Sequence, residues 1–179
     1  MRKHGPAKTN VVDVARELDM SHGNVYRVFS SKKALLDAVA LRWMEAILCP
    51  LRSIAEDETR PAPKRLTDWF NTLRKLKHVK VRRDPELFAA YHRHITTMPD
   101  AVASHVGHLV GQLARIIGDG IASGEFSASP KPRAAARAFL DATARFHHPA
   151  FLVLDPLPTD REAKAVLDLL LKGMAAKKV

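Results

Sequence analysis

Cysteine is almost absent from this chain of 179 residues. Cys49 stands alone, which excludes an intramolecular disulfide and any cysteine-based zinc cage and suits a reducing compartment. At that position a small buried apolar residue is expected rather than a reactive thiol. Long apolar runs are also missing: none approaches the ~18 residues that a membrane span requires. The basic start, Met1-Arg2-Lys3-His4-Gly5-Pro6, leads into no apolar stretch and so does not read as a signal peptide. A soluble, cytoplasmic protein without a membrane partner is expected. There is no run of β-branched alternation, no internal repeat and no low-complexity tract. Catalytic signatures are lacking too. There is no Gly-x-Ser-x-Gly elbow and no Walker loop. Gly118-Asp119-Gly120 with Gly124 fails as a dinucleotide fingerprint, because the third glycine is misplaced and no strand precedes it. Neither an enzyme nor a cofactor is expected.

What is present is ordinary globular composition, 46% hydrophobic and 27% charged, under a net charge of +10. With a pI near 10.0, that excess favours a polyanionic partner, nucleic acid or an anionic surface. Alanine, leucine, lysine and arginine are plentiful, and the chain reads as helices throughout. Short helices are expected over about Asn10 to Leu18, after Thr9 as N-cap, and from Ser21 to about Phe29. Ser31 caps a longer one from Lys32 through Trp43, with a kink expected at Pro50. Glu56 to Pro63 reads as a loop. Beyond it Leu66, Trp69, Phe70, Leu73 and Leu76 recur on one helical face. Asp84-Pro85 starts a helix with Leu87, Phe88, Tyr91 and Ile95 inward. Pro99 opens a long helix carrying Val102, Val106, Leu109, Leu113, Ile116 and Ile117, closed near Gly124. Another is expected from Pro132 to Phe146. The last, capped by Thr159, carries Val166, Leu167, Leu169, Leu170 and Leu171, apolar over more than half its circumference. A second apolar face of that kind predicts a partner helix from another subunit.

The most informative stretch is Val11 to Phe29. A helix-turn-helix needs two short helices crossing steeply over a tight turn. Ala15 supplies the small residue at the crossing, and Val14, Leu18, Met20, Val25 and Val28 fall at inward spacings. The turn position favours φ > 0; Asp19 stands there, one of the few non-glycine types that tolerate it. Ser21 caps the second helix.

Ser21-His22-Gly23-Asn24-Val25-Tyr26, followed by Phe29-Ser30-Ser31-Lys32-Lys33-Ala34-Leu35-Leu36, resembles the recognition helix and fourth-helix start of the tetracycline-repressor (TetR) family. Roughly thirty contiguous positions fit the pattern. In the body the segments Asp84-Pro85-Glu86-Leu87, Gly124-Glu125-Phe126 and Arg145-Phe146-His147-His148-Pro149 are similar to those of the family's effector domains. The resemblance implies an all-α fold: a helix-turn-helix DNA-binding head over residues 1–48 and an effector-binding and dimerisation body over 49–179. Two departures stand out. Val28 replaces a histidine frequent in the family. The family's first helix, a third wall under the pair, is largely missing, with only Met1 to Ala7 left of it. Two short helices bury little core, so that wall is expected to be truncated or supplied by the body or a partner.

The implied function is a sequence-specific transcriptional regulator, a repressor released from a double-stranded DNA operator by a small-molecule effector. His22 and Asn24, near the start of the recognition helix, are candidates for base readout. Gly23 lets the backbone approach the groove, and Ser21 keeps its hydroxyl near it. Tyr26 resembles the family's phosphate-contacting tyrosine, and Arg27 reaches phosphate or guanine. Lys8, Thr9, Lys32 and Lys33 stand at helix starts suited to clamping phosphates. A homodimer is implied, pairing the helices Ala135–Phe146 and Arg161–Met174 across a two-fold axis. Trp69, Phe70, Phe88, Tyr91, His92 and His147 are the candidate effector contacts; the aromatics read first as core.

Histidine is the residue type that could imply metal chemistry. His105 and His108 at i, i+3 can chelate, while His92 and His94 lie on different faces and His147-His148 precede Pro149. No carboxylate or cysteine joins them at diagnostic spacing, so polar residues of a cavity or surface are expected, not metal ligands. A metal-responsive regulator is the runner-up. A helical enzyme or scaffold that no longer binds DNA is the rival from another class. Between Arg60 and Arg83 nine lysines and arginines face one acid, Asp68, which reads as the solvated side of a helix.

Overall fold

The structure, a computed structural model, describes Ser21, residues 27–154 and residues 156–176. Among these the fold is helical, with only an isolated antiparallel bridge between Phe126 and Ala175. Seven α-helices follow in order: α1 Lys32–Glu56, α2 Ala62–Arg83, α3 Pro85–Ile95, α4 Pro99–Ala122, α5 Pro132–Ala142, α6 Pro149–Leu152 and α7 Asp160–Met174. A 3₁₀ turn, Ala144–Phe146, separates α5 from α6.

Most helix starts follow from local chemistry. The Ser31 hydroxyl accepts from Ala34 N–H at 3.1 Å and Asp84 accepts from Leu87 N–H at 2.9 Å, each satisfying an orphan donor of a first turn. Prolines 85, 99, 132 and 149 occupy first helical positions, where no N–H is needed. Thr159 and Glu162 form a reciprocal capping box at the start of α7. Gly124, with φ +76°, takes the left-handed conformation that closes α4.

Several elements differ from the sequence reading. α1 runs through Pro50 to Glu56, well beyond Trp43. The loop that follows is only five residues, 57–61, and is fixed by Asp57, which accepts from Thr59 N–H and takes Arg60 Nε at 2.7 Å. α5 stops at Ala142, where the chain tightens into the 3₁₀ turn, and Thr143 bonds its hydroxyl back to the Phe139 carbonyl at 2.8 Å. Cys49 is exposed, on the solvent side of α1, and not the small buried residue expected.

Two apolar clusters form the core. The larger gathers the second half of α1 (Leu51), α2 (Leu66, Trp69, Phe70, Leu73), α4 (Leu113, Ile116, Ile117), α5 (Phe139) and α7 (Leu167). The smaller packs the first half of α1, Leu35, Val39, Trp43 and Met44, against Leu87, Phe88, Tyr91 and Ile95 of α3. Polar ties pin the larger one. Trp69 Nε1 donates to Gln112 Oε1 at 2.9 Å, and Gln112 Nε2 donates to Leu48 O at 3.1 Å, joining α2, α4 and α1. Arg65, fully buried, donates to the Ile54 and Ala55 carbonyls at the end of α1. It also forms an ion pair with Asp119 of α4 at 2.9 Å, off the angle of a hydrogen bond.

Candidate functional site

α2, α3, α4 and α5 do not close completely on one another. Between them, roofed by Met44 of α1 and by the chain from Ala144 to Pro149, lies a cavity of about 420 Å³. That falls within the ~300–1,000 Å³ usual for small-molecule sites. Leu73, Ile95, Val102, Val106, Leu109 and Leu140 give it an apolar wall. Thr96, Pro99, Arg137, Asp141 and His148 are lining residues that also face solvent, and they mark its mouth. There Arg137 and Asp141 neutralise each other through an ion pair at 2.9 Å.

The polar groups inside are few. Lys77 extends from α2 and is only 6% exposed, and no described residue hydrogen-bonds or ion-pairs with its ammonium. Burial alone pushes its pKa down to about 8. His105 of α4 is 8% exposed, and both its ring nitrogens are buried without a partner. Burial, then the neighbouring Lys77 charge and that of His108, drive it down to about 3. His147 is driven to about 3 by burial first and Lys77 second. Its Nε2 lies 3.1 Å from Thr143 Oγ1, whose single proton already goes to a helix carbonyl, so this contact places a proton on Nε2. His92 contributes a buried Nδ1 that also lacks a partner. Among the described residues the site is therefore a greasy chamber holding one uncompensated cation, Lys77, beside the neutral imidazoles of His105 and His147.

Of the six candidate effector contacts, Tyr91, His92 and His147 line this chamber. Trp69 and Phe70 lie in the larger core, Trp69 bonded to Gln112 and Phe70 edge-on to Phe139 and Phe146. Phe88 packs in the smaller core and touches only a hollow of about 50 Å³ beside Trp43. Lys77 and His105 were not among the candidates, yet both extend an apolar stripe. Lys77 stands four residues after Leu73, and His105 stands four before Leu109. In the basic stretch between Arg60 and Arg83 the solvated-face reading fails at Arg65 and Lys77, which point inward because their positions belong to the buried face.

The histidines do not converge. His108, one turn along α4 from His105, is exposed and lines a different hollow, and His94 pairs with Asp37 of α1. Among the described residues no group of three or more His, Cys, Asp or Glu side chains is placed to hold a metal ion. Nor is any helix of the described residues long and apolar enough to cross a membrane.

At the other end of α1, Ser21 and Arg27 are exposed, Lys32 opens the helix, and Lys33 reaches Asp37 at 2.8 Å. Lys8, Thr9, His22, Gly23, Asn24 and Tyr26 lie outside the described residues.

Two family models divide the chain at this point: residues 1–39 match that of bacterial regulatory proteins of the tetR family, and residues 62–167 match the tetracyclin repressor-like C-terminal domain. The chain belongs to the TetR family. It is thus a regulator by descent and not an enzyme. No curated protein matches it by sequence. Solved structures match by fold. A TetR transcriptional regulator of Streptomyces coelicolor superposes with a TM-score of 0.65 at 16% identity, over 96% of this chain and 90% of that one. FadR of Bacillus subtilis, in complex with stearoyl-CoA, gives 0.65 at 16% over 95% and 91%. The ketosteroid transcriptional regulator KstR2 of Mycobacterium tuberculosis gives 0.60 at 19% over 97% and 88%. The TetR-like fold carries an N-terminal helix-turn-helix head, and the chamber lies in the helical body.

Proposed function

We propose that the protein is a homodimeric DNA-binding repressor that releases its operator when a small molecule occupies the chamber. The observation that carries this reading is the position of α3. It walls the chamber with Tyr91, His92 and Ile95, and it grips the start of α1 through the His94–Asp37 contact at 2.7 Å. A ligand pressing on α3 therefore bears on the helix that begins at Lys32 and Lys33, beside the head. It alters DNA binding to the extent that it prefers one arrangement of these helices over the other. The stearoyl-CoA held by FadR supports a small-molecule role for such a body.

In this reading His22 and Asn24 read base edges, and Ser21 and Gly23 sit against the groove. Lys8, Thr9, Tyr26, Arg27, Lys32 and Lys33 hold phosphates. The partner copy docks on the open faces of α5 and α7. Ala135, Ala136 and Leu167 are used up in the chain's own core. What remains outward is a stripe of Ala134, Ala138 and Ala142 on α5 and the 70%-exposed Leu169 on α7.

Fluorescence anisotropy with DNA from beside the gene tests the reading. A palindromic fragment should bind well above random DNA, with affinity falling linearly in log salt as phosphate contacts release counterions. Absence of any sequence preference would overturn it.

A further inference from the structure

The chamber's charge is unbalanced. Lys77 is more than nine-tenths buried and has no anionic or hydrogen-bonding partner among the described residues. A buried charge is retained at a cost unless something pairs with it. Around it, His105 offers two unpartnered ring nitrogens and His92 one, while most of the remaining surface is aliphatic. The one carboxylate of the lining, Asp141, stands at the mouth and is already engaged by Arg137.

We propose that the effector is a small apolar carboxylic acid whose single carboxylate pairs with Lys77 and accepts from the buried imidazole of His105, its hydrocarbon part lying against Leu73, Val106, Leu109 and Leu140. One uncompensated cation matches one negative charge. The His105 imidazole, held neutral in the fold by its burial, donates a hydrogen bond but adds no charge, so a phosphate dianion would bring an excess negative charge into an apolar site. A neutral alcohol would leave the lysine unpaired, and an amine would repel it. The volume sets the size. At the ~30 Å³ that liquid water allots each heavy atom, about 420 Å³ holds on the order of fourteen non-hydrogen atoms. An unbranched acid of about ten carbons or a short phenyl-substituted acid fits that limit.

This inference rests on the reading of the chamber as the effector site, but its first test needs no DNA. Isothermal titration calorimetry of the full chain at pH 7 compares decanoate, 4-phenylbutyrate, decanol, decylamine and decyl phosphate. One of the two acids should bind at least tenfold tighter than the alcohol, the amine and the phosphate, and which acid wins tells a chain-shaped from a ring-shaped ligand. Lys77→Met should weaken the acid at least tenfold, as expected for loss of a charge-assisted bond, and change decanol about twofold at most. Lys77→Gln serves if the methionine variant does not fold, and the wild-type series stands without either. Equal binding of decanol and both acids, or tightest binding of decyl phosphate, would overturn the proposal. So would unchanged acid affinity in a folded Lys77 variant. An acid that binds with no effect on operator affinity sinks the effector reading and leaves the ligand class standing. A neutral compound that releases DNA while neither acid binds does the reverse.

Discussion

His94 of α3 places Nε2 2.7 Å from one carboxylate oxygen of Asp37 on α1, whose other oxygen takes Lys33 Nζ at 2.8 Å. The Lys33 hydrogen bond, opposed by partial burial and helped by His94, holds the Asp37 carboxyl below the usual carboxylate range. One helix thus feels the chamber through Tyr91, His92 and Ile95 and holds the head-proximal end of α1 by its next residues. A partly exposed pair of this kind is worth roughly 0–1 kcal/mol to stability, whereas allosteric coupling runs to about 1–3 kcal/mol. His94→Ala should therefore leave the melting temperature and ligand affinity nearly unchanged while shrinking the ligand-induced loss of operator affinity severalfold. Anisotropy titrations with and without ligand measure this; an undiminished effect would remove the contact from the transmission route.

Lys77 makes the empty protein less stable than it need be. Its folded pKa of about 8 lies below the ordinary value of 10.5, so above pH 8 the unfolded chain holds a proton that the folded chain has released. Stability from this group is then lost as pH falls from about 10.5 to 8 and is absent at pH 7. Lys77→Met should stabilise the ligand-free protein at pH 7 by on the order of 1–3 kcal/mol and flatten its stability profile between pH 8 and 10. Urea unfolding across that range checks both. Acid binding should weaken over the same window, which His105, His147 and Tyr91, the last raised to about 12 by burial, leave clear.

On the acid side the buried imidazoles govern. His105 and His147 stay neutral in the fold down to about pH 3, while the unfolded chain protonates them near 6.5. Their contribution is complete above that value and is lost as pH falls, with a slope of up to about 1.4 kcal/mol per pH unit for each. Stability should drop steeply from pH 6.5 to 4.5. His105→Leu, which removes two unsatisfied buried nitrogens, should reduce that slope; an identical acid limb in the variant would show that His105 does not titrate as its burial requires.

How far this was legible in the sequence differs between fold and site. Leu66, Trp69, Phe70 and Leu73, and Leu87, Phe88, Tyr91 and Ile95, form the buried faces that their spacing predicts. The prolines and caps mark the starts of α3, α4, α5 and α7, because these signals are local and strong. The end of α5 was not legible, since no glycine or proline follows Ala142 before Pro149 to mark it. Nor was the division between core and chamber. Phe70 and Tyr91 sit on equally apolar stripes, and only the gap left between α2, α4 and α5 decides that one is core and the other faces a cavity. Lys77 and His105 were readable in principle, as polar residues standing where a stripe requires apolar ones.

Gly120 has a tighter constraint than its helical position implies. A Cβ there would clash with the edge of the Phe126 ring and stand 2.8 Å from Ala62 Cβ, where the turn after α4 crosses the start of α2. That crossing is held by Glu125, which accepts from Ala62 N–H at 3.1 Å, and by Glu125 and Phe126 amides donating to the Gly120 carbonyl. Alanine normally strengthens a helix over glycine by about 1 kcal/mol, but overpacking costs roughly 1–3 kcal/mol, and here the obstruction includes a buried ring. Gly120→Ala should be net destabilising, by thermal unfolding. Gly107→Ala, with nothing within 4 Å, should be neutral or stabilising. Equal effects at the two sites would mean that propensity and not packing decides.

Assembly can be tested on one leucine. Leu169 is 70% exposed on α7, while its helix neighbours Ala163 and Leu167 are buried against the chain's own core. A leucine so exposed, on a helix with only Ala163 and Leu167 buried, is explained if a second copy covers it together with Ala138 and Ala142 of α5. Small residues there let the helices approach closely, and a stable homodimer typically buries upward of ~2,000 Å² in total. Leu169→Glu leaves the monomer's packing intact but sets a charge in that seam. The variant should elute as a monomer in size-exclusion chromatography with light scattering, keep a melting transition, and lose operator affinity by orders of magnitude, since two linked heads bind far more tightly than one. Wild-type protein that is monomeric at micromolar concentration would remove the homodimer from the proposal, and a Leu169→Glu variant that stays dimeric would move the interface elsewhere.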